Sequence, residues 1–137
     1  MAIPIFTSVH LVKGEDLNHH GTLYAGRTAE WFVESGFISA ASMTKPENIV
    51  CLKIHGMTFT RPIKKGELVT FTSRAVLTGE TKIVSNIEVR AGGKLAVRGF
   101  ITFIHVDLDG KPLPHGIVLV PESDKEKELS EEAKALT

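Results

Sequence analysis

The chain has 137 residues, with 16 Lys plus Arg against 16 Asp plus Glu, 42 % hydrophobic and 23 % charged residues, and one cysteine, Cys51. That length fits one domain with its own core, and the ordinary composition excludes wholesale disorder. Zero net charge argues against bulk electrostatic binding to nucleic acid or membrane, and a lone cysteine excludes an intramolecular disulfide or a Cys-based zinc cluster.

Residues 3–12 (IPIFTSVHLV) are β-rich and predict a strand, and Gly14 to Gly21 reads as a loop holding Asp16, Asn18, His19 and His20. Thr22 to about Met43 reads as the long helix of the body, broken by Lys45-Pro46-Glu47-Asn48. Strand patterns follow at 49–60, 67–77, 81–91 and 94–107, separated by Pro62–Gly66, Thr78-Gly79-Glu80 and Ala91-Gly92-Gly93. Asp109-Gly110 marks a turn, and 116–120 predicts a short edge segment. Residues 1–120 form the expected domain. Residues 121–137 form a charged tail with six acidic and three basic residues, read as a solvated or frayed helix or as disorder. No run reaches ~18 apolar residues, and MAIPIFTSVH lacks a charged segment followed by an apolar one, so the expected compartment is the cytoplasm.

One helix beside four or five strands joined by short connections gives an α+β class with an antiparallel sheet. At about 100° per residue, Gly26, Ala29, Val33, Gly36 and Ala40 share a small-sided stripe that allows a close approach to the helix backbone. Trp31, Phe32, Phe37 and Ile38 fall elsewhere, so the helix is apolar on most sides and expected to be buried, with the sheet curled around it. Arg27, Glu30 and Glu34 lie within about 60° of one another. They are either a solvated ionic cluster or a carboxylate poised as general base or nucleophile. In the loop ahead of the helix, Asn18 and Thr22 are either helix caps or neighbours of a carbonyl polarised by the free amides of the first turn, with Gly21 and Gly26 admitting a close approach. His19 and His20 do not converge easily on one ion, and no metal site is expected. His55, at mid-strand, falls by period two on the face of Cys51, Met57 and Phe59, as a core histidine or as an acid–base group facing the helix.

The run Asn18-His19-His20-Gly21-Thr22-Leu23-Tyr24-Ala25-Gly26 resembles the loop-to-helix signature of hotdog-fold acyl-CoA thioesterases. His55-Gly56-Met57-Thr58-Phe59-Thr60-Arg61-Pro62-Ile63-Lys64-Lys65-Gly66-Glu67 resembles that family's second motif, and His105 to Pro112 the end of its last long strand. The resemblance implies a hotdog fold, an antiparallel sheet wrapped around one long central helix. It implies acyl-CoA hydrolysis to free acid and coenzyme A with no metal or organic cofactor. It also implies protomers paired sheet edge to sheet edge, a homodimer at least and further a tetramer or hexamer, with the site at the interface and a carboxylate on the partner's helix activating water. Arg61, Lys64, Lys65, Lys82 and Arg90 are candidate contacts for the coenzyme A phosphates, and a body at net +3 beside a tail at −3 suits that anion.

Two family acids are replaced, one by Val33 and one by His55. Glu30 paired with His55, with Thr22 eight residues before Glu30, resembles a branch of the fold that uses Thr, Glu and His, and it is the favoured catalytic set. Glu34 stays open as the acid. Two other functions remain beside hydrolysis: hydration or dehydration of an acyl thioester, favoured by His55, and acyl-CoA binding without turnover, favoured by Val33.

Overall fold

The computed structural model describes residues 2–136. Five strands form one antiparallel sheet: β1 (Phe6–Leu11), β2 (Ile49–Phe59), β3 (Leu68–Thr78), β4 (Lys82–Ala91) and β5 (Lys94–His105), in the spatial order β1-β3-β4-β5-β2. The β3–β4 and β4–β5 connections are the short glycine-bearing turns read from the sequence. Gly92 and Gly93 take φ of +59° and +74°, a region where a side chain is strained.

Helix α1 (Ala25–Ala41) crosses one face of the sheet. It starts at Ala25 rather than at Thr22 because residues 22–24 have other partners: the Asn18 amide donates to the Thr22 carbonyl, Leu23 to Ile63, and Tyr24 to Asp16. The close approach expected of its small stripe occurs at Gly36, where an added Cβ would lie 2.9 Å from Ile87 Cδ1. Polar groups seal the same contact. Ser73 Oγ donates to the Ser35 carbonyl at 2.7 Å, and Ser39 Oγ meets Ser85 Oγ at 2.7 Å. Phe32, Phe71, Ile87, Ile101 and Phe103 fill the core between helix and sheet.

The helix is not buried on most sides. Thr28, Phe32, Ser35, Gly36, Ser39 and Ala40 face the sheet, while Gly26, Glu30, Glu34 and Ile38 form an exposed stripe at i, i+4 spacing. The apolar residues that suggested burial all round include Trp31, which is only half-buried at the margin of the core, edge-on to Phe71 at 6.0 Å and stacked on His10 at 4.1 Å.

Residues 116–120 form no strand. Ile117 and Leu119 pack against the core from an extended strap, which Pro114 and Pro121 bracket and His115 pins through Nε2 to the Lys82 carbonyl at 3.0 Å. The charged tail folds into α2 (Asp124–Leu136), whose Leu129, Ser130 and Ala133 are buried. It covers the sheet face opposite α1 over Val76, Val84 and Phe100. One buried stripe suffices to dock a helix that is otherwise polar.

Candidate functional site

The two long motifs meet in space. The Thr22 backbone bridges to Lys64, and the Leu23 amide donates to the Ile63 carbonyl at 2.7 Å. The loop before α1 is thereby stitched to the segment leaving β2. Between them lies a hollow of about 350 Å³, lined among others by Asn18, Thr22, Ala25, Thr28, Phe59 and Ile63.

Asn18 sits at its rim, held by its neighbours. Its Oδ1 accepts from the amides of His20 at 2.9 Å and Thr22 at 3.2 Å, and its Nδ2 donates to Thr22 Oγ1 at 3.1 Å. An amide nitrogen carries two hydrogens, so one remains for a molecule in the hollow. Neither Asn18 nor Thr22 caps the helix. The N-cap position is Tyr24, and no side chain bonds the first-turn amides. Among the described residues, the amides of Ala25 and Gly26 have no acceptor. The exposed Tyr24 ring lies across Gly26, where a Cβ would displace it. Gly21 takes φ +80° at the tip of the same loop.

The carboxylates stand apart from this hollow. Glu30 and Glu34 lie on the exposed stripe of α1, and among the described residues neither has a hydrogen-bond or ion-pair partner. Arg27 does not offset them, since it pairs at 3.6 Å with Asp16, which is 2 % exposed. Asp16 Oδ2 also accepts from the Lys13 amide at 2.9 Å, so this buried acid anchors the loop ahead of the helix. The sequence reading gave Asp16 no role. Val33 is half-buried against the core.

His55 is not brought to Glu30. Register shifts between Cys51 and Lys53 and between Ile54 and Met57 interrupt the period-two alternation in β2, with Gly56 at φ +88°. Met57 packs toward the α1 side. His55 turns to the opposite face, where its Nε2 lies 2.6 Å from Thr102 Oγ1. The sheet therefore separates His55 from α1, and the Glu30–His55 pair does not form in this chain. A β-bulge is the physical reason the alternation failed.

The basic candidates divide as well. Arg61 donates to the Ala91 carbonyl and pairs with Glu67 at 3.5 Å, clamping the β2 exit to the β4–β5 turn. Lys64 and Lys65 are exposed beside the hollow. Arg90 lies at the same end of the sheet, 3.9 Å from Glu88 on the α2 face. Lys82 opens β4, eight residues from Arg90 and thus about 26 Å away. The five do not form one patch. Among the described residues, no group of three or more His, Cys, Asp or Glu side chains could hold a metal ion, and the rings of His19 and His20 lie 3.9 Å apart with exposed side chains. Sequence reasoning missed Phe59, Thr60 and Thr28 as lining residues, although the second motif contains the first two.

A buried face of α1 against an antiparallel sheet in the order β1-β3-β4-β5-β2 is the hotdog architecture. It superposes on an acyl-CoA hydrolase from Staphylococcus aureus in complex with butyryl coenzyme A at a TM-score of 0.86, with 24 % identity over 96 % of this chain and 80 % of that one. It also superposes on a hexameric hotdog fold thioesterase of Campylobacter jejuni at a TM-score of 0.69, with 22 % identity over 90 % and 94 % of the two chains. With residues 20–97 matching the thioesterase superfamily model, the chain belongs to that superfamily. It is 32 % identical over 116 residues to the acyl-CoA thioester hydrolase YciA of Salmonella typhimurium, covering 76 % of this chain and 84 % of that one. The cytosolic acyl coenzyme A thioester hydrolase of Rattus norvegicus is 31 % identical over 134 residues, covering 92 % of this chain. The chain spans 35 % of the length of that relative.

Proposed function

We propose that this chain hydrolyses an acyl-CoA thioester to a free acid and coenzyme A. The observation that carries this reading is that Asn18, whose side-chain amide keeps a spare hydrogen, and Ala25, whose backbone amide has no acceptor among the described residues, line one hollow at the start of α1. A thioester carbonyl there meets fixed donors at the positive end of α1. Water adds to the carbonyl carbon, negative charge collects on the oxygen facing those donors, and collapse expels the coenzyme A thiolate. Donors aimed at the developing oxyanion stabilise the transition state more than the ground state.

Water is activated by a carboxylate on the exposed stripe of α1 of a second protomer. Glu30 takes this role ahead of Glu34, being one turn nearer the helix N-terminus. Among the described residues both carboxylates lack partners, which leaves them free to meet a second protomer. Within one chain His55 lies across the sheet from α1, so this reading gives the step to the carboxylate without it. Lys64 and Lys65 stand where the phosphates of coenzyme A leave the hollow, with Arg61 holding the loop and Arg90 at the same end of the sheet. No metal or organic cofactor enters the reaction. A cytoplasmic location suits an acyl-CoA substrate, and no helix among the described residues is long and apolar enough to cross a membrane.

The second copy comes from the open edge of the sheet. β2 exposes Val50 and Ile54 beside unpaired backbone groups, a surface that another strand would cover. Pairing two β2 edges makes the homodimer, and the hexamers known among the structural relatives support further assembly.

One observation favours a second reading: Val33 occupies the position that resembles the family's acid, so the chain binds acyl-CoA without turning it over. Free-thiol release from short, long and aromatic acyl-CoAs separates the two. Hydrolysis predicts turnover that falls by about 10²-fold or more in Glu30→Gln, with a smaller loss in Glu34→Gln. Tight binding without turnover, unchanged by either substitution, supports the binding module.

A further inference from the structure

The sheet face opposite α1 carries a second groove, and it owes nothing to the hollow at the helix N-terminus. Gly56 at φ +88° turns the β2 backbone, and Gly99 across from it admits that turn, because a Cβ at Gly99 would overlap the Gly56 carbonyl. Two glycines thus permit the bulge that swings His55 outward. Thr102 fixes the ring through Nε2 at 2.6 Å and leaves Nδ1 without a partner among the described residues.

Two lysines flank this imidazole. Lys53 is the cross-strand neighbour of Thr102, and Lys82 arrives from β4 with its stem packed over Gly79. Neither has an ion-pair partner among the described residues. Arg98, farther along the groove, is already matched by Glu132 at 2.6 Å and Glu88 at 3.6 Å. Burial, then the charges of Lys53 and Lys82, hold the His55 imidazole below its usual range. Burial is the larger cause, and the two lysines add to it from the same side.

Beyond the lysines the side-chain walls are apolar except for Thr58 and the Arg98–Glu132 ion pair, whose charges are matched to each other. Leu52 and Leu136 close the lysine end, a hollow of about 240 Å³. It shares His55 and Leu136 with a neighbouring hollow of about 360 Å³ that runs past Phe100 and Ala135 of α2. A cationic end opening onto Leu136, Phe100 and Ala135 matches an anionic head carried on a short hydrocarbon chain.

We propose that this groove binds a straight-chain carboxylate, its head between Lys53, Lys82 and His55 and its chain along Leu136 toward Ala135. The site lies across the sheet from the proposed thioester site and does not depend on that reading.

Titrating octanoate into the full-length protein, followed by NMR at the His55 ring and the Thr102 amide, tests it. Octanoate is expected to give saturable shifts at both. The Lys53→Met/Lys82→Met variant is expected to weaken binding about tenfold or more, a change large enough to resolve. Leu136→Ala, a partly exposed position that leaves the fold intact, weakens octanoate binding and spares inorganic phosphate. Octanamide, which keeps the chain and lacks the charge, and inorganic phosphate, which keeps an oxyanion and lacks the chain, each bind more weakly than octanoate. The proposal is overturned if octanamide or phosphate binds as tightly as octanoate. Shifts confined to the Asn18 and Thr22 amides, or insensitivity to the lysine substitutions, overturn it as well.

Discussion

Asn18 and His55 show how single residues were legible to different degrees. Asn18, Gly21 and Gly26 could be placed from sequence because their neighbours are local: every side-chain partner of Asn18 lies within four residues. His55 could not, because its direction is set by a register shift against β5, a non-local event. The one local hint was Gly56 directly after it, since a glycine inside a strand pattern marks a bulge. Arg27 was misjudged for a related reason. The helix wheel counts only residues on the helix, and its partner Asp16 comes from the loop before it. Gly99→Ala tests the bulge directly. The added methyl would collide with the Gly56 carbonyl, so urea unfolding should show a loss of about 1–3 kcal/mol with an unchanged m-value. An unchanged midpoint would mean that the bulge does not need glycine at 99.

At the scale of elements, the four long strands lie within about two residues of the positions read from alternation and turn chemistry, because β3 to β5 are joined by short hairpins. The tail was harder. Its apolar content is small, yet Leu129 and Ala133 fall on one stripe, and that stripe docks over Val76, Val84 and Phe100. A start signal was present and unread. Ser123 Oγ accepts from the Glu126 amide at 3.1 Å while the Glu126 carboxylate accepts from the Ser123 amide at 2.9 Å, a capping box in Ser-Asp-Lys-Glu. The Ser123 amide, and then the Glu122 amide at 3.0 Å, hold the Glu126 carboxyl low.

Charge locks the docked helix through Glu88, which meets Lys125 at 3.0 Å and Arg98 at 3.6 Å. Burial acts to raise the Glu88 carboxyl, and the Lys125 hydrogen bond with the charges of Lys125, Arg90 and Arg98 more than reverses it, leaving it below the usual range. A carboxylate held low stabilises the fold above its unfolded value of about 4.3 and loses that contribution as pH falls through the lower folded value. Protection factors along 124–136, corrected for the intrinsic exchange rate, should therefore fall as wild type is acidified below about pH 4.3. Glu88→Gln should show faster exchange already at neutral pH and a flatter acid response. Identical profiles would remove Glu88 from the lock.

For the whole molecule, the neutral total charge conceals a folded arrangement. The acidic tail lies on the basic body, where Glu132 is matched to Arg98, so the surplus of the body is not all free for a ligand. Lys64 and Lys65 remain exposed beside the hollow of α1. The sheet order was not readable from local pattern, because β2 returns to pair with β5 at the far edge, beyond the two strands that follow it in sequence. That return leaves β2 as an open edge. If two such edges pair, Ile54→Lys should convert the assembly to monomer in light-scattering chromatography, and persistence of the oligomer would place the interface elsewhere. Polarisation of a thioester carbonyl by Asn18 and the first-turn amides of α1 is measured by free-thiol release from an acyl-CoA panel with wild type and Asn18→Ala side by side. Wild type should turn over, with kcat lower by about 10²- to 10³-fold in the variant, the usual cost of one oxyanion donor. Equal rates in the two proteins, or no thiol release by correctly assembled wild type on any substrate, would contradict it.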